Sequence, residues 1–314
     1  MFFRAIINSQ NKMILSVSRR TDIPAFYSEW FIRRIKEGFV YVRNPFNTHQ
    51  IRKIYLNPSN VDCIVFWTKN PKPLLGKLHE LKDYNFYFQI TLNPYSHDLE
   101  IGVPKKTGII NSIKVLSEAI GPGKIVWRYD PIIINKKYDE DYHLHYYRKL
   151  VEYLHDYSQM NVISFLDIYK KIENRIDTST HKGFSDQNKI KLVDKLKDIA
   201  DKFQVEIRSC AENLDLNIEK SHCIDKELIE KLIGHPTSYK KDKNQRPECG
   251  CIESVDIGEY NTCQHNCTYC YANFSENSIN NKVMKHNPLS PLLVGEFDPI
   301  NDTLIDKGEI AKLF

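Results

Sequence analysis

The chain contains 314 residues, of which 41% are hydrophobic and 27% charged, and its formal net charge at pH 7 is +4. These proportions are typical of a globular protein, and the length allows one large domain or two modest ones. The mild positive charge permits an anionic ligand but does not by itself indicate a nucleic-acid or membrane partner.

Short runs rich in β-branched and aromatic residues recur along the chain and predict strands. In chain order the predicted strands are 14–18, 39–43, 63–67, 86–92, 124–130, 162–167 and 205–209. Amphipathic segments predict helices over 25–36, 72–82, 107–119, 139–157, 185–202 and 225–233. In the segment 185–202 the apolar residues fall on one face, behind a capping signal at Ser185.

Strands that alternate with amphipathic helices predict an α/β fold, with a parallel sheet and crossover helices. The number and length of the units predict a complete or partial (β/α) TIM-like barrel over residues 13–248. A doubly wound open sheet is the competing architecture. Residues 249–314 are predicted to form a cysteine-rich C-terminal segment that packs on the barrel.

The sequence also predicts a cytoplasmic protein with no membrane partner. No apolar run approaches the roughly 20 residues that a membrane-spanning helix needs. The first twenty residues, "MFFRAIINSQNKMILSVSRR", lack the ordered basic, apolar and small-residue regions of a secretory signal.

Many of the predicted strands end in polar side chains that can bind ligands. Examples are "SRRTD" after the first strand, "TKN" after the third, "RYDP" within the fifth and "RSCAE" after the last. In a barrel, the carboxyl ends of the strands form the rim where ligand-binding groups gather. We therefore expect Arg19, Lys69, Arg128 and Glu212 to hold a cofactor or substrate. The alternative is that they form structural ion pairs or lie in ordinary polar loops.

Five of the eight cysteines lie between Cys249 and Cys270, a clustering that favours metal binding over scattered core packing. Cys263, Cys267 and Cys270 have the spacing C-x3-C-x2-C, and residues 263–270 are called the cysteine loop below. A structural zinc site normally has four ligands. Three thiolates instead suit a cubane iron–sulfur cluster, because each can bind one iron and leave the fourth iron free.

The C-x3-C-x2-C spacing, with an aromatic residue at Tyr269, resembles the signature of the radical S-adenosylmethionine superfamily. The resemblance implies a [4Fe-4S] cluster on Cys263, Cys267 and Cys270, bound S-adenosylmethionine, and Tyr269 on the adenine side. It also implies an electron donor such as flavodoxin or ferredoxin, and removal of hydrogen from a small-molecule substrate that the sequence does not identify.

The chain further resembles an uncharacterised bacterial family of unknown function with a C-terminal CxxxCxxC loop. The segments that carry this resemblance are "ILSVSRRTDIPAFY" near the N-terminus and "KKDKNQR", followed by "CGC", near residue 250. The likeness begins at about Met13, so residues 1–12 are interpreted as an N-terminal extension and Met13 as a candidate start.

Two features depart from the superfamily pattern. The cysteine loop comes late in the chain, whereas it normally follows the first barrel strand. We expect "IESVDIGEY" (252–260) to act as the first strand in space although it comes last in sequence. The segment that normally holds the amino group of S-adenosylmethionine has only a partial counterpart, Gly295 and Glu296 in "VGEFDP", for which a surface turn is the alternative.

Cys210, Cys223, Cys249 and Cys251 lie in polar contexts outside the cysteine loop. Four thiolates can hold a second iron–sulfur cluster or a zinc ion, and the sequence does not separate these options from free thiols. Cys63 begins an apolar strand and is interpreted as a core residue.

Two other functions remain open from the sequence. One is a non-catalytic protein that binds zinc or an iron–sulfur cluster. The other is a radical S-adenosylmethionine enzyme that acts on nucleic acid, although the basic run 238–246 is more typical of a solvated loop.

Overall fold

The computed structural model of the protein describes residues 12–168, 172–173, 175–176 and 179–308. The predicted N-terminal extension, residues 1–12, lies outside these ranges except for Lys12. In chain order the strands are β1 (Met13–Val17), β2 (Phe39–Arg43), β3 (Gln50–Tyr55), β4 (Val61–Thr68), β5 (Phe86–Thr91), β6 (Ile125–Ile132), β7 (Met160–Phe165), β8 (Glu206–Cys210), β9 (Glu219–Ser221), β10 (Val255–Asp256) and β11 (Thr303–Ile305). The α-helices are α1 (Ile23–Phe26), α2 (Ser28–Glu37), α3 (Lys72–Leu75), α4 (Lys106–Ile120), α5 (Glu140–Leu154), α6 (Ser179–Gly183), α7 (Asp186–Asp201), α8 (Lys226–Ile233) and α9 (Glu276–Val283).

Eight of these strands form one parallel sheet, in the order β10-β1-β4-β5-β6-β7-β8-β9. Helices lie between most of the neighbouring strands, as parallel pairing requires. This confirms the α/β class and is consistent with a barrel-like arrangement. Because all eight strands run in the same direction, their carboxyl ends meet at one edge of the sheet.

The two faces of the sheet have separate cores, because neighbouring residues of a strand point to opposite faces. On one face, Phe66, Phe88 and Trp127 pack in the large apolar cluster that includes the buried sides of α2, α4, α5 and α7. The other face, here called the inner face, carries Ile14, Cys63, Val65, Tyr87, Val126, Val162 and Cys210. It is covered by the segment 223–252, which contains α8. Cys63 is fully buried there, as predicted for a core residue.

The strand that precedes the cysteine loop is placed next to β1. Val255 pairs with Leu15 and Asp256 with Ser16, in parallel register. The Asp256 carboxylate then accepts hydrogen bonds from the hydroxyls of Ser16 and Ser18 at 2.9 and 2.6 Å. The prediction that a late segment stands beside β1 in space is confirmed, although the strand covers only two residues of the predicted nine.

The predicted strand 39–43 forms, but in a different sheet from the one expected. It is β2, which pairs antiparallel with β3, and β11 joins β3 in parallel. Only Val40 of its five residues is buried, and this distinguishes β2 from β4, in which every residue except Trp67 is buried. The strands β3, β9 and β11 are absent from the sequence prediction.

The predicted helices form with shifted bounds. The segment 25–36 is divided into α1 and α2, and the segment 72–82 into α3 and a 3-10 turn over Leu78–Leu81. The Ser185 cap is confirmed, because its hydroxyl accepts the N–H of Asn188 at 3.2 Å. None of the helices in the described ranges has the length and apolarity needed to cross a bilayer.

Candidate functional site

The cysteine loop lies against the polypeptide that follows β5. The N–H of Thr268 donates to the carbonyl of Leu99 at 2.9 Å. The next residue, Glu100, forms an isolated antiparallel bridge with Cys267. These backbone contacts fix the middle of the loop at the carboxyl edge of the parallel sheet.

His265, which lies between two of the cysteines, holds the loop in place through its side chain. Its Nε2 is 2.9 Å from the carboxylate of Asp22, which also accepts the N–H of Lys69 at 2.7 Å. Gly102 donates its N–H to the carbonyl of His265 at 2.8 Å, and a side chain at Gly102 would collide with the carbonyl of Gln264. The imidazole is therefore hydrogen-bonded to the segment that follows β1.

The three thiols of the loop are close enough to affect one another's pKa values. Cys267 is buried, while Cys263 and Cys270 are partly buried. Burial raises the pKa of Cys267 to about 12, with Glu100 and Cys270 acting in the same direction and Lys69 opposing them. Burial also raises the pKa of Cys263, and the neighbouring Cys270 and Cys267 add to that effect.

A buried ionic network lies beside Cys267. Glu100, only 1% exposed, accepts hydrogen bonds from Lys69 at 2.7 Å and from Lys106 and the Tyr269 hydroxyl. Burial opposes the charge of Lys69, but Glu100 and Cys267 outweigh it, and the pKa of Lys69 is raised. The pKa of Lys106 is lowered, because burial outweighs its attraction to Glu100. Two ammonium groups therefore share one carboxylate next to the cysteine loop.

The predicted residues Lys69 and Tyr269 are thus brought together, with the Lys69 ammonium 2.9 Å from the Tyr269 hydroxyl. Arg19 also reaches the loop, because its carbonyl accepts the Tyr271 hydroxyl at 2.7 Å. Its guanidinium points elsewhere and lies 3.2 Å from the hydroxyl of Ser254. Burial opposes the charge of Arg19, yet neighbouring anionic groups, led by Asp256, raise its pKa.

Arg128 lies on the inner face and contacts the other group of cysteines. Its guanidinium is 4% exposed and donates to the Cys223 sulfur at 3.0 Å, to Gln89 at 3.3 Å and to Asp130. It also lies over the Trp67 ring, 5.7 Å from the ring centroid. Arg128 therefore contacts the inner-face cysteines, whereas Lys69 contacts Glu100 and Tyr269 at the cysteine loop.

The remaining predicted site residues have other contacts. Glu212 accepts the N–H of Phe165 at 2.7 Å, and burial raises its pKa. Gly295 donates its N–H to the carbonyl of Lys285 at 2.9 Å, and Glu296 accepts from Asn287 at 2.8 Å. These contacts place Gly295 and Glu296 in a turn beside α9.

Cys210, Cys223, Cys249 and Cys251 meet on the inner face. Cys210 and Cys223 have their sulfurs 3.1 Å apart, and the thiols of Cys223 and Cys249 are close enough to that of Cys251 to affect its pKa. Within the described ranges, no group of three or more His, Cys, Asp or Glu side chains is arranged to hold a metal ion. Both sets of cysteines are therefore assembled without being closed around one ion.

Three buried polar atoms near the carboxyl edge have no hydrogen-bond partner within the described part of the chain. They are Thr21 Oγ1 after β1, Trp67 Nε1 near the end of β4 and Asn93 Oδ1 after β5. Buried polar atoms are normally paired, so unpaired ones at a sheet edge indicate positions where a ligand or water completes the hydrogen bonding.

Farther along the same edge, a cavity of about 430 Å³ lies beside the end of β7, lined in part by Asp167, Phe184 and Lys189.

Glu100, Lys106 and Asp256 were not among the residues predicted from the sequence. Glu100 and Lys106 lie in a polar stretch with no periodic pattern, and their partner Cys267 is far away in sequence, so no local signal marks them. Asp256 had a usable signal, because it is an acidic residue inside a predicted strand and must be paired when that strand joins a sheet.

The chain matches the model of a protein family. A model of the family DUF1848, described as a domain of unknown function, matches residues 14–272, which include both sets of cysteines. No curated protein gives a significant match.

Solved structures that align with the chain include the carboxyl transferase domain of Rhizobium etli pyruvate carboxylase with pyruvate, at 10% identity and a TM-score of 0.28. The same domain with oxalate aligns at 10% identity and a TM-score of 0.27. Each alignment covers 64% of this chain and 36% of the carboxylase domain, so the chain spans little more than a third of that domain. At these TM-scores the likeness carries no argument about fold or function.

Proposed function

We propose that the chain, which belongs to the DUF1848 family of unknown function, is a radical S-adenosylmethionine enzyme with a barrel-like fold. In this proposal Cys263, Cys267 and Cys270 hold a [4Fe-4S] cluster at the carboxyl edge of the parallel sheet. S-adenosylmethionine and a small-molecule substrate bind beside it.

The observation that carries the proposal is that the loop offers three thiols and no fourth ligand. His265 is the one other imidazole or carboxylate side chain within the loop, and its Nε2 is already bound to Asp22. Glu100, the carboxylate next to Cys267, is held by two lysines. Cubane thiolates each bind a different iron, so they need not surround a single ion. Three thiolates would leave one iron open to a small molecule.

The charges around the loop also fit a cluster. A [4Fe-4S] core bound by three thiolates is anionic, and burying an anion requires nearby compensation. Lys69 and Lys106 exceed the single carboxylate of Glu100 by one positive charge. Lys69 lies within the field of Cys267, because that sulfur is among the groups that raise the pKa of Lys69.

A cluster held by Cys263, Cys267 and Cys270 would supply one electron, received from a donor such as reduced flavodoxin or ferredoxin. That electron would serve the reductive cleavage of S-adenosylmethionine to methionine and a 5′-deoxyadenosyl radical, which would take hydrogen from the substrate. The residues of the chain orient the bound molecules and exclude water. Trp67 Nε1 supplies a donor, and Asn93 Oδ1 an acceptor, for polar groups of the ligands. The larger apolar cluster, against which the cysteine loop packs, limits the access of water to the bound molecules.

Electron paramagnetic resonance (EPR) tests this proposal. The protein is reconstituted anaerobically with iron and sulfide, reduced, and measured with and without S-adenosylmethionine. We expect S-adenosylmethionine to change the signal of the reduced cluster in the wild type and in Cys63→Ala, which removes a core thiol outside the loop. The change should be absent in Cys267→Ala. The proposal would be wrong if the EPR signal of the fully reconstituted wild type were the same with and without S-adenosylmethionine.

A further inference from the structure

A second group of cysteines is assembled from three separate parts of the chain. Cys210 ends β8, Cys223 follows β9, and Cys249 and Cys251 flank Gly250. The 3.1 Å between the sulfurs of Cys210 and Cys223 is longer than a disulfide bond, about 2.05 Å. It is nearer to the spacing of about 3.8 Å that tetrahedral geometry gives thiolates on one zinc ion with Zn–S bonds of about 2.3 Å.

The turn that carries Cys249 and Cys251 is held in position by the preceding basic segment. Asp242 donates its N–H to the carbonyl of Cys251 at 2.9 Å, and Cys249 donates its N–H to the carbonyl of Arg246 at 3.0 Å. Residues 238–246 were interpreted as a solvated loop, but Asp242 in this run is buried. The run therefore has a structural role in presenting two of the four cysteines.

Gly250 allows the two halves of the group to approach each other. The imidazole of His222, the residue before Cys223, packs directly on Gly250, and any side chain at position 250 would occupy the same space. A side chain at position 250 would therefore fit only if the His222 imidazole moved, whereas the backbone angles of Gly250 place no demand for glycine.

Donors point at the sulfur atoms of this group. The guanidinium of Arg128 donates to the Cys223 sulfur at 3.0 Å, and the N–H of Ile224 donates to the Cys251 sulfur at 3.3 Å. Hydrogen bonds of this kind orient metal-bound thiolates and adjust the properties of the metal. Arg128 is also buried, so a positive charge is fixed beside the sulfurs on the inner face.

We propose that Cys210, Cys223, Cys249 and Cys251 form a second metal centre, bound by four thiolates on the inner face of the sheet. The ligand is a thiophilic metal, either one zinc ion or an iron–sulfur cluster, because both accept four thiolates. Binding would close the four side chains around the metal. This centre is independent of the cysteine loop, and the inference does not rest on the function proposed above.

The test uses the full chain with Cys263, Cys267 and Cys270 all changed to Ala, so that only the second centre remains. Iron, sulfide and zinc are measured after anaerobic purification. We expect about one zinc, or about four irons with matching sulfide, per chain. The further changes Cys223→Ser and Cys251→Ser should abolish this content, while Cys63→Ala on the same background should preserve it. Zinc and iron–sulfur binding are distinguished by which elements are found.

A second measurement needs no further substitution. The triple variant is stripped of metal under reducing conditions and titrated with Co²⁺ as the probe. We expect the absorption bands of tetrahedral cobalt with thiolate ligands to saturate at one equivalent and to disappear when zinc is added. Metal content near zero together with no thiolate–cobalt absorption would overturn the proposal, and so would a Cys210–Cys223 disulfide in the freshly purified protein.

Discussion

Glu100 pairs with Cys267 through a backbone bridge, and the same residue carries the carboxylate that holds two partly buried lysines. The residue that fixes the backbone of Cys267 is therefore also the one that balances the charges of Lys69 and Lys106. A change in Glu100 should affect the loop and the stability of the protein together.

Glu100→Gln should be strongly destabilising. The amide would leave the partly buried ammonium groups of Lys69 and Lys106 beside each other without the countercharge of Glu100. Removing one partner of a buried pair typically costs about 3 to 5 kcal/mol of unfolding free energy. Denaturant unfolding of the metal-free protein measures this change, with Glu118→Gln on the exposed side of α4 as the control. A loss under about 1 kcal/mol would show that the network is not the buried pair described here.

Gly102→Ala should displace the cysteine loop, because the new methyl group would meet the carbonyl of Gln264. Backbone atoms cannot move aside as the end of a flexible side chain can, and overpacking of this kind typically costs about 1 to 3 kcal/mol. Gly108→Ala is the matched control, since Gly108 lies in α4 with open space around it. The control should be neutral or stabilising by up to about 1 kcal/mol. Equal melting temperatures for the two variants would contradict the packing described for Gly102.

Asp22→Asn should loosen the loop without removing a cysteine. The carboxylate accepts from His265, from the N–H of Lys69 and from the N–H of Ala25, and an amide has a single acceptor oxygen to replace its two. Loss of a hydrogen bond to a charged group costs about 1.5 kcal/mol. This loss corresponds to about a tenfold rise in the fraction of molecules in which the cysteine loop is open. Alkylation of Cys267 in metal-free protein should accelerate by that factor. Cys63, which is fully buried near the start of β4, whereas Lys69 follows the end of that strand, is the internal control and should react at an unchanged rate.

The stability of the protein should depend on the ionisation of His143 between pH 6.5 and about 4. The His143 Nε2 lies 3.0 Å from the carbonyl of Ile133, which can only accept, so Nδ1 accepts the Tyr129 hydroxyl at 2.7 Å. Burial lowers the pKa of His143 to about 4, against the opposing effects of Ile133 and Asp139. The unfolded chain binds this proton near pH 6.5 and the folded chain does not, so stability is lost as the pH falls.

The lowered pKa of His143 corresponds to a loss of about 3 kcal/mol of unfolding free energy as the pH falls from 6.5 to about 4. Unfolding free energies of the wild type and His143→Gln, measured from pH 7 to 4, isolate the contribution. Glutamine can donate to Ile133 and accept from Tyr129, but it does not titrate. The variant's curve should be flatter by about this amount, whereas parallel curves would contradict the assignment.

Local sequence patterns were enough to predict most of the parallel sheet. Strands such as β4 and β5 are buried on both faces and read as continuous apolar runs, and this signal does not depend on tertiary context. The short strand β9, with the sequence "EKS", has no such signal and forms because β8 offers it a paired edge.

The candidate site was predicted in part for a similar reason. The cysteine spacing is local, and the lysine after β4 follows from the strand ending there. The partners of these residues are not local: Glu100 is 167 positions from Cys267, and Asp22 is 243 from His265. No periodicity connects such pairs, so only the fold brings them together.

The most direct test of the central claim is the product formed from S-adenosylmethionine. The anaerobically reconstituted protein is incubated with S-adenosylmethionine and a strong one-electron reductant, and 5′-deoxyadenosine and methionine are quantified. We predict that wild type and Cys63→Ala release 5′-deoxyadenosine, while Cys267→Ala does not. A wild type that contains its full iron and sulfide yet releases no more 5′-deoxyadenosine than Cys267→Ala would contradict the assignment.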